Sequence, residues 1–254
     1  MGKPDSSEKV VIGKNNRGIT MLSLCDEAGK NVFSDQFAGQ LIAALDELIL
    51  TIRPPVVIIR GTADVFAGGG DKDALIGLSM GKITTQDLII TEKLLSCPFP
   101  VIAAMEGHAV GGGLMLACAS DIVIAAEQSR YGAVFMSMGF TPGMGCTTLL
   151  ADLVGPFVAN EMMYTAKRFK GKELVGRGTN INYILPKDQV YPKAIDIALQ
   201  IAEKNTKSVY LLKRALSARK KKLLIDARLQ EDLMHELSFS FPETREIIKE
   251  FYVD

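Results

Sequence analysis

A chain of 254 residues, 48% hydrophobic and 23% charged, carries enough apolar surface for one large buried core and too much of it for a disordered majority. Its 29 basic and 29 acidic residues cancel, so there is no global field to gather nucleic acid or an anionic membrane. The longest apolar runs, such as 56–59, are strand-sized and residues 1–8 are polar rather than an export signal, so a soluble cytoplasmic protein with no nucleic-acid or membrane partner is expected.

In chain order, strand-like runs at 19–24, 56–60, 101–104 and 121–126 alternate with helical patterns at 37–50 and 85–96. This alternation predicts βα units and a largely parallel sheet. Phe37, Leu41, Ala44, Leu45 and Leu48 recur at helical spacing and read as core, and Pro54-Pro55 ends that helix ahead of the next strand. From Thr147 onward the pattern is mostly helical, with a short strand at 182–185 and helices over 192–205, 207–219 and 223–240. No low-complexity linker or solenoid-period repeat divides the chain, and the partition is a core over 1–190 followed by a helical region over 191–254. Cys25, Cys97, Cys118 and Cys146 are widely spaced without a CxxC pair and read as buried free thiols.

Two glycine clusters follow apolar strands: Gly68-Gly-Gly70 in Val65-Phe-Ala-Gly-Gly-Gly-Asp71, and Gly111-Gly-Gly113 in Gly107-His-Ala-Val-Gly-Gly-Gly113. Each precedes a predicted helix. Glycine lets a ligand approach the main chain, and the NH groups that open a helix lack intrahelical partners. Together they suit an oxyanion hole. Neither cluster has the GxxxxGK[ST] spacing of a phosphate loop or the GxGxxG fingerprint of a dinucleotide site.

Through Phe66-Ala-Gly-Gly-Gly-Asp71, Pro100-Val-Ile-Ala-Ala-Met-Glu-Gly-His-Ala-Val-Gly-Gly-Gly113, Asp121-Ile-Val-Ile-Ala-Ala126 and Gly139-Phe-Thr-Pro-Gly-Met-Gly145, the chain resembles the crotonase (enoyl-CoA hydratase/isomerase) family over nearly its whole length. The resemblance implies an α/β spiral of repeated ββα units with a helical C-terminal region, assembled as trimers or dimers of trimers. It also implies an acyl thioester, on CoA or phosphopantetheine, whose carbonyl oxygen is held by the NH groups of Gly70 and Gly112. Ala67, Gly69, Met115, Phe135 and Gly139 are implied as pocket residues.

Hydratases of this family activate water with two glutamates, at positions that read Met115 and Phe135 here. Neither side chain transfers a proton, so hydration has lost its acid and base. An oxyanion hole still stabilises an enolate made by losing CO2, which needs no base. The run 131–145, with Met234-His-Glu236, resembles the decarboxylases of polyketide β-branching, which act on a 3-methylglutaconyl group on an acyl carrier protein. That subgroup implies a histidine near the C-terminus, His235, and a lysine after the first glycine turn, for which Lys82 is the candidate and Lys72 reads as a helix-start lysine. On a helical projection His235 lies with Arg228, Glu231 and Ser238, off the stripe of Leu229, Leu233 and Leu237.

His108, the other histidine, reads as structural. With two histidines and no paired cysteines, neither a metal nor a further cofactor is expected. The run Arg219-Lys-Lys-Lys222 reads as a solvated helix face or a dock for an acidic carrier protein. Two other functions stay open: an enoyl-thioester isomerase using the same enolate, and a catalytically silent scaffold.

Overall fold

The computed structural model describes residues 8–81 and 89–251. The chain starts with β1 (Val10–Lys14), β2 (Thr20–Leu24), β3 (Val32–Phe33) and α1 (Asp35–Glu47), then β4 (Val57–Arg60), β5 (Val65–Ala67), β6 (Gly69–Gly70) and α2 (Lys72–Ser79). It continues through α3 (Ile90–Ser96), β7 (Val101–Met105), β8 (His108–Val110), α4 (Gly112–Ala119), β9 (Ile122–Ala126), β10 (Arg130–Gly132), α5 (Cys146–Val154) and α6 (Pro156–Thr165). The remainder is β11 (Phe169–Lys170), α7 (Gly171–Leu174), β12 (Tyr183–Leu185), α8 (Lys187–Ala202), α9 (Thr206–Ser240) and α10 (Pro242–Phe251).

The five expected strands and an unexpected one, β1, form the six-stranded central sheet, in the order β1-β2-β4-β7-β9-β12, parallel except for β1. A second sheet, β11-β10-β8-β5, collects the short strands that follow β4, β7 and β9, so the chain spirals between the two layers, while β3 pairs with β6. The long strands are buried on both faces, as parallel strands are. Val57 and Ile59 of β4 join a core with α1, α3, α4 and α5, while Ile58 joins a second cluster with Val190, Ala194 and Ala198 of α8.

Helix α1 starts at Ser34, whose hydroxyl accepts the Phe37 NH at 3.3 Å, and its end widens into a π turn, Leu48–Ile52. Arg53, at φ 45°, then hands the chain to Pro54-Pro55. Of the expected helix over 85–96 the described part is α3; residues 85–88 lie outside the described segments.

Three expectations in the C-terminal region need correction. The helices over 207–219 and 223–240 are one helix, α9, because no glycine or proline interrupts 206–240 and Lys220, Lys221 and Lys222 are good helix formers. Helix α8 starts at Lys187 rather than at 192, with Pro192 tolerated inside it. The faces of α9 are the reverse of what its leucines suggest: Glu231, His235 and Ser238 are buried, while Leu229, Leu233 and Leu237 are 74%, 58% and 55% exposed. Leu224 and Phe239 of α9 and Ile248 of α10 enter the main core, so the helical region shares its packing. Among the described residues no helix is long and apolar enough to cross a membrane.

All four cysteines are free; Cys97, Cys118 and Cys146 are buried, but Cys25 is only half-buried. Burial pushes the Cys97 and Cys118 thiols up to about 12, which leaves them unreactive at neutral pH.

Candidate active site

Strands β5 and β8 are parallel neighbours, pairing Val65 with His108 and Ala67 with Ala109, so the glycine turns that follow them open on the same edge. Gly69 and Gly70 pair with Val32 and Phe33 of β3, and the Asp71 carboxylate then caps α2 by accepting the Asp73 and Ala74 NH groups at 3.1 and 3.3 Å. In the other turn Gly111 donates its NH to the Gly132 carbonyl at 2.8 Å, and Gly112 opens α4 with no side-chain cap.

The two turns abut. Gly69 has φ 85°, and a Cβ there would stand 2.6 Å from the Val110 carbonyl oxygen and 3.4 Å from the Gly112 nitrogen. A Cβ on Gly112 would stand 2.8 Å from both Met144 Sδ and the Phe33 ring. Glycine is therefore required at position 69, where a Cβ would strike backbone, whereas at position 112 it would press on two side chains; the amide that opens α4 sits against Phe33 and Met144.

These turns form one wall of a cavity of about 590 Å³. The rest of its lining is largely apolar, with Phe135, Met138, Phe140, Met144 and Phe239, and His235 is set among them. Lys30, Asp35, His108 and Arg168 also line it, all four exposed, so its charged groups lie at the outer edge. Among the described residues Asp35 is the one carboxylate on the wall.

His235 is 8% exposed. Its Nε2 lies 2.7 Å from the Thr141 carbonyl oxygen. A carbonyl only accepts, so Nε2 carries the proton and Nδ1 is the basic nitrogen; Nδ1 is buried, and no protein group among the described residues bonds to it. Phe140 and Phe239 stack on each other at 4.6 Å, and both meet the imidazole edge to face, at 6.1 and 5.5 Å. Burial holds the His235 pKa below its ordinary value, against the bond to Thr141 and the charge of Asp232.

The residues singled out from sequence divide. Gly69, Gly70, Gly112, Phe135 and His235 meet in this cavity. Met115, Ala67 and Gly139 do not line it, which corrects their expected pocket role. Met115 is on the fully buried α4 and packs in the core, Ala67 is buried in β5 with its carbonyl against Gly113, and Gly139 accepts the Thr244 hydroxyl at 2.9 Å. Lys82 lies outside the described residues; Lys72 is half-buried at the start of α2 and off the cavity wall.

The basic run on α9 divides: Arg219 and Lys222 are exposed, as expected of a solvated face, but Arg219 and Lys220 already have protein partners. Arg219 pairs with both oxygens of Asp152 at 2.6 and 2.9 Å, and Lys220 donates to the Cys118 and Ser120 carbonyls at 2.9 and 2.8 Å, capping α4. His108 accepts the Arg130 NH on Nδ1 at 2.9 Å, a structural bond, yet it also stands on the cavity edge. Lys30 and Arg168 were missed, because exposed single cations carry no sequence signal until the fold brings them to one rim.

A model of the enoyl-CoA hydratase/isomerase family matches residues 14–252. The chain belongs to this family. Among its crotonase relatives is the bacillaene synthase decarboxylase PksI of Bacillus subtilis (strain 168), 35% identical over 92% of this chain and 94% of the relative. The crotonase fold superimposes, at TM-score 0.91 and 33% identity over 97% of this chain and all of the other, on a structure from a dehydratase/decarboxylase couple involved in polyketide β-branching. It also superimposes on the ECH2 decarboxylase domain of CurF from Lyngbya majuscula, at TM-score 0.89 and 31% identity over 96% of this chain and 99% of the other. This crotonase is a lyase of the decarboxylase type.

Proposed function

We propose that the protein decarboxylates a 3-methylglutaconyl-type thioester on an acyl carrier protein, giving a 3-methylcrotonyl-type product in polyketide β-branching. The observation that carries this reading is the meeting, in one cavity, of the two abutting glycine turns with His235, while Phe135 stands where a hydratase keeps a carboxylate. The Gly70 and Gly112 amides hold the thioester oxygen. As the C–C bond to the carboxylate breaks, CO2 leaves and its electron pair passes through the conjugated double bond into that oxygen. His235 then gives the dienolate the one proton each turnover consumes. Lys82 remains the proposed lysine partner of the carboxylate.

The exposed cations at the cavity edge, Lys30 and Arg168, with the neutral His108 beside them, suit the phosphate of a pantetheine arm better than the Arg219 run, where Arg219 and Lys220 already have protein partners. The exposed leucines of α9 support a homo-oligomer, trimer or dimer of trimers, in which a second copy covers them.

Mass spectrometry of a 3-methylglutaconyl carrier protein incubated with the enzyme is expected to register loss of CO2. Unchanged substrate overturns the reading, and deuterium exchange into an analogue lacking the carboxyl group would mark an isomerase instead.

A further inference from the structure

Phe140, Gly143 and Met144 of the segment 139–147 line the cavity, with Met144 against Gly112, yet little within this segment holds it. Gly139, Met144 and Gly145 all have positive φ, 79°, 62° and 82°, and Gly145 opens α5 with no side-chain cap of its own. The missing cap comes from α9, more than eighty residues away. Glu231, 1% exposed, accepts the Gly145 NH on Oε2 at 2.7 Å, and the Thr147 NH and hydroxyl on Oε1 at 2.8 and 2.6 Å. Burial raises its pKa, and these three donors oppose the rise.

One turn further along the same face, His235 bonds the Thr141 carbonyl, and Ser238 Oγ accepts the Thr141 NH at 3.3 Å. Helix α9 thus grips the segment at both ends, with Glu231 at one and His235 and Ser238 at the other. Between the grips lie Gly143 and Met144, with Phe140 just ahead of the first, all three on the cavity wall. Met144 Sδ packs where a Gly112 Cβ would stand, and the Gly143 backbone packs against the His235 ring.

We infer that Glu231 is a positioning residue for the reaction: its carboxylate sets the 139–147 wall, and through it the placement of His235 and of the Gly112 amide around the substrate. The inference rests on the decarboxylase reading above. Glu231→Gln keeps the shape but turns an amide NH2 toward a donor that the carboxylate accepted, so the Gly145 end of the wall loses its anchor.

The test compares Glu231→Gln with Lys213→Met, a control that breaks the ion pair between Lys213, buried on α9, and Asp121, away from the cavity. Expected for Glu231→Gln is a fall in kcat of about tenfold or more with KM changed less than about twofold. The NMR resonance of His235 Cε1–H, recorded without substrate, should shift as well. Lys213→Met should lower Tm but leave kcat and that resonance in place. Unchanged kcat and resonance in folded Glu231→Gln overturn the inference, as does an equal fall in kcat in Lys213→Met. If Glu231→Gln does not fold, Thr147→Val decides: it removes one donor to the same carboxylate, and should lower kcat by about threefold and move the resonance. An unmoved kcat and resonance there overturn the inference too. A wild-type enzyme inert toward the carrier-bound substrate overturns the substrate assignment instead, and the substrate-free resonance still decides whether Glu231 sets His235.

Discussion

His235 and Thr141 are joined by a 2.7 Å bond from Nε2–H to the backbone carbonyl, which fixes the imidazole tautomer. One nitrogen holds the cavity wall, and in the proposed reaction the other, Nδ1, carries the proton that is delivered. His235→Gln should lower kcat by about 10²–10⁴, the range of general acid–base catalysis. His235→Phe should do the same and also leave the Thr141 carbonyl without its donor, at a cost of about 1–3 kcal/mol. Steady-state kinetics and urea denaturation of both variants check this.

The lowered pKa of His235 gives a pH signature. The unfolded chain takes up the proton near 6.5, whereas the folded imidazole takes it up only at lower pH. Stability from this site is therefore complete above 6.5 and is lost as the pH falls from there toward the folded value. Tm of the wild type should drop through that window more steeply than Tm of His235→Phe. A donor must also be protonated, so kcat should rise as the pH falls toward the folded pKa, and this limb should be absent in His235→Gln.

Gly69 and Gly112 should respond differently to alanine. At Gly69 the new Cβ meets the Val110 backbone oxygen at 2.6 Å with φ at 85°, so the fold yields and a loss above about 2 kcal/mol is expected. At Gly112 it meets two side chains, Met144 and Phe33, that can shift. The chain should fold, with kcat down about 10²–10³, as for loss of an oxyanion-hole donor. Chemical denaturation beside kinetics separates the two.

Replacing the lost carboxylates should also be asymmetric. Phe135→Glu places a carboxylate on the cavity wall and should fold. Met115→Glu places one in the core and should cost about 3 kcal/mol or more. Thermal melts of the two single variants test this, and a similar Tm for both would refute the burial difference.

Leu229→Glu with Leu233→Glu should leave the isolated fold intact, because both side chains are exposed, and dissociate the proposed oligomer. Light scattering reads the mass; an unchanged assembly would place the interface elsewhere.

The sequence by itself determined the long strands, the two glycine turns and the loss of both hydratase carboxylates, because each is a local property. Strand runs are continuous, a turn where a Cβ would strike a neighbouring backbone needs glycine, and a missing acid is visible residue by residue. Tertiary structure decided which groups act together. The leucine spacing on α9 marks an apolar face, but the helix buries its polar face, because the 139–147 segment offers backbone donors and acceptors that Glu231, His235 and Ser238 satisfy. Lys220 became a cap for α4 and Met115 a core residue for the same reason: helical periodicity defines faces, and only the neighbouring elements decide what each face meets.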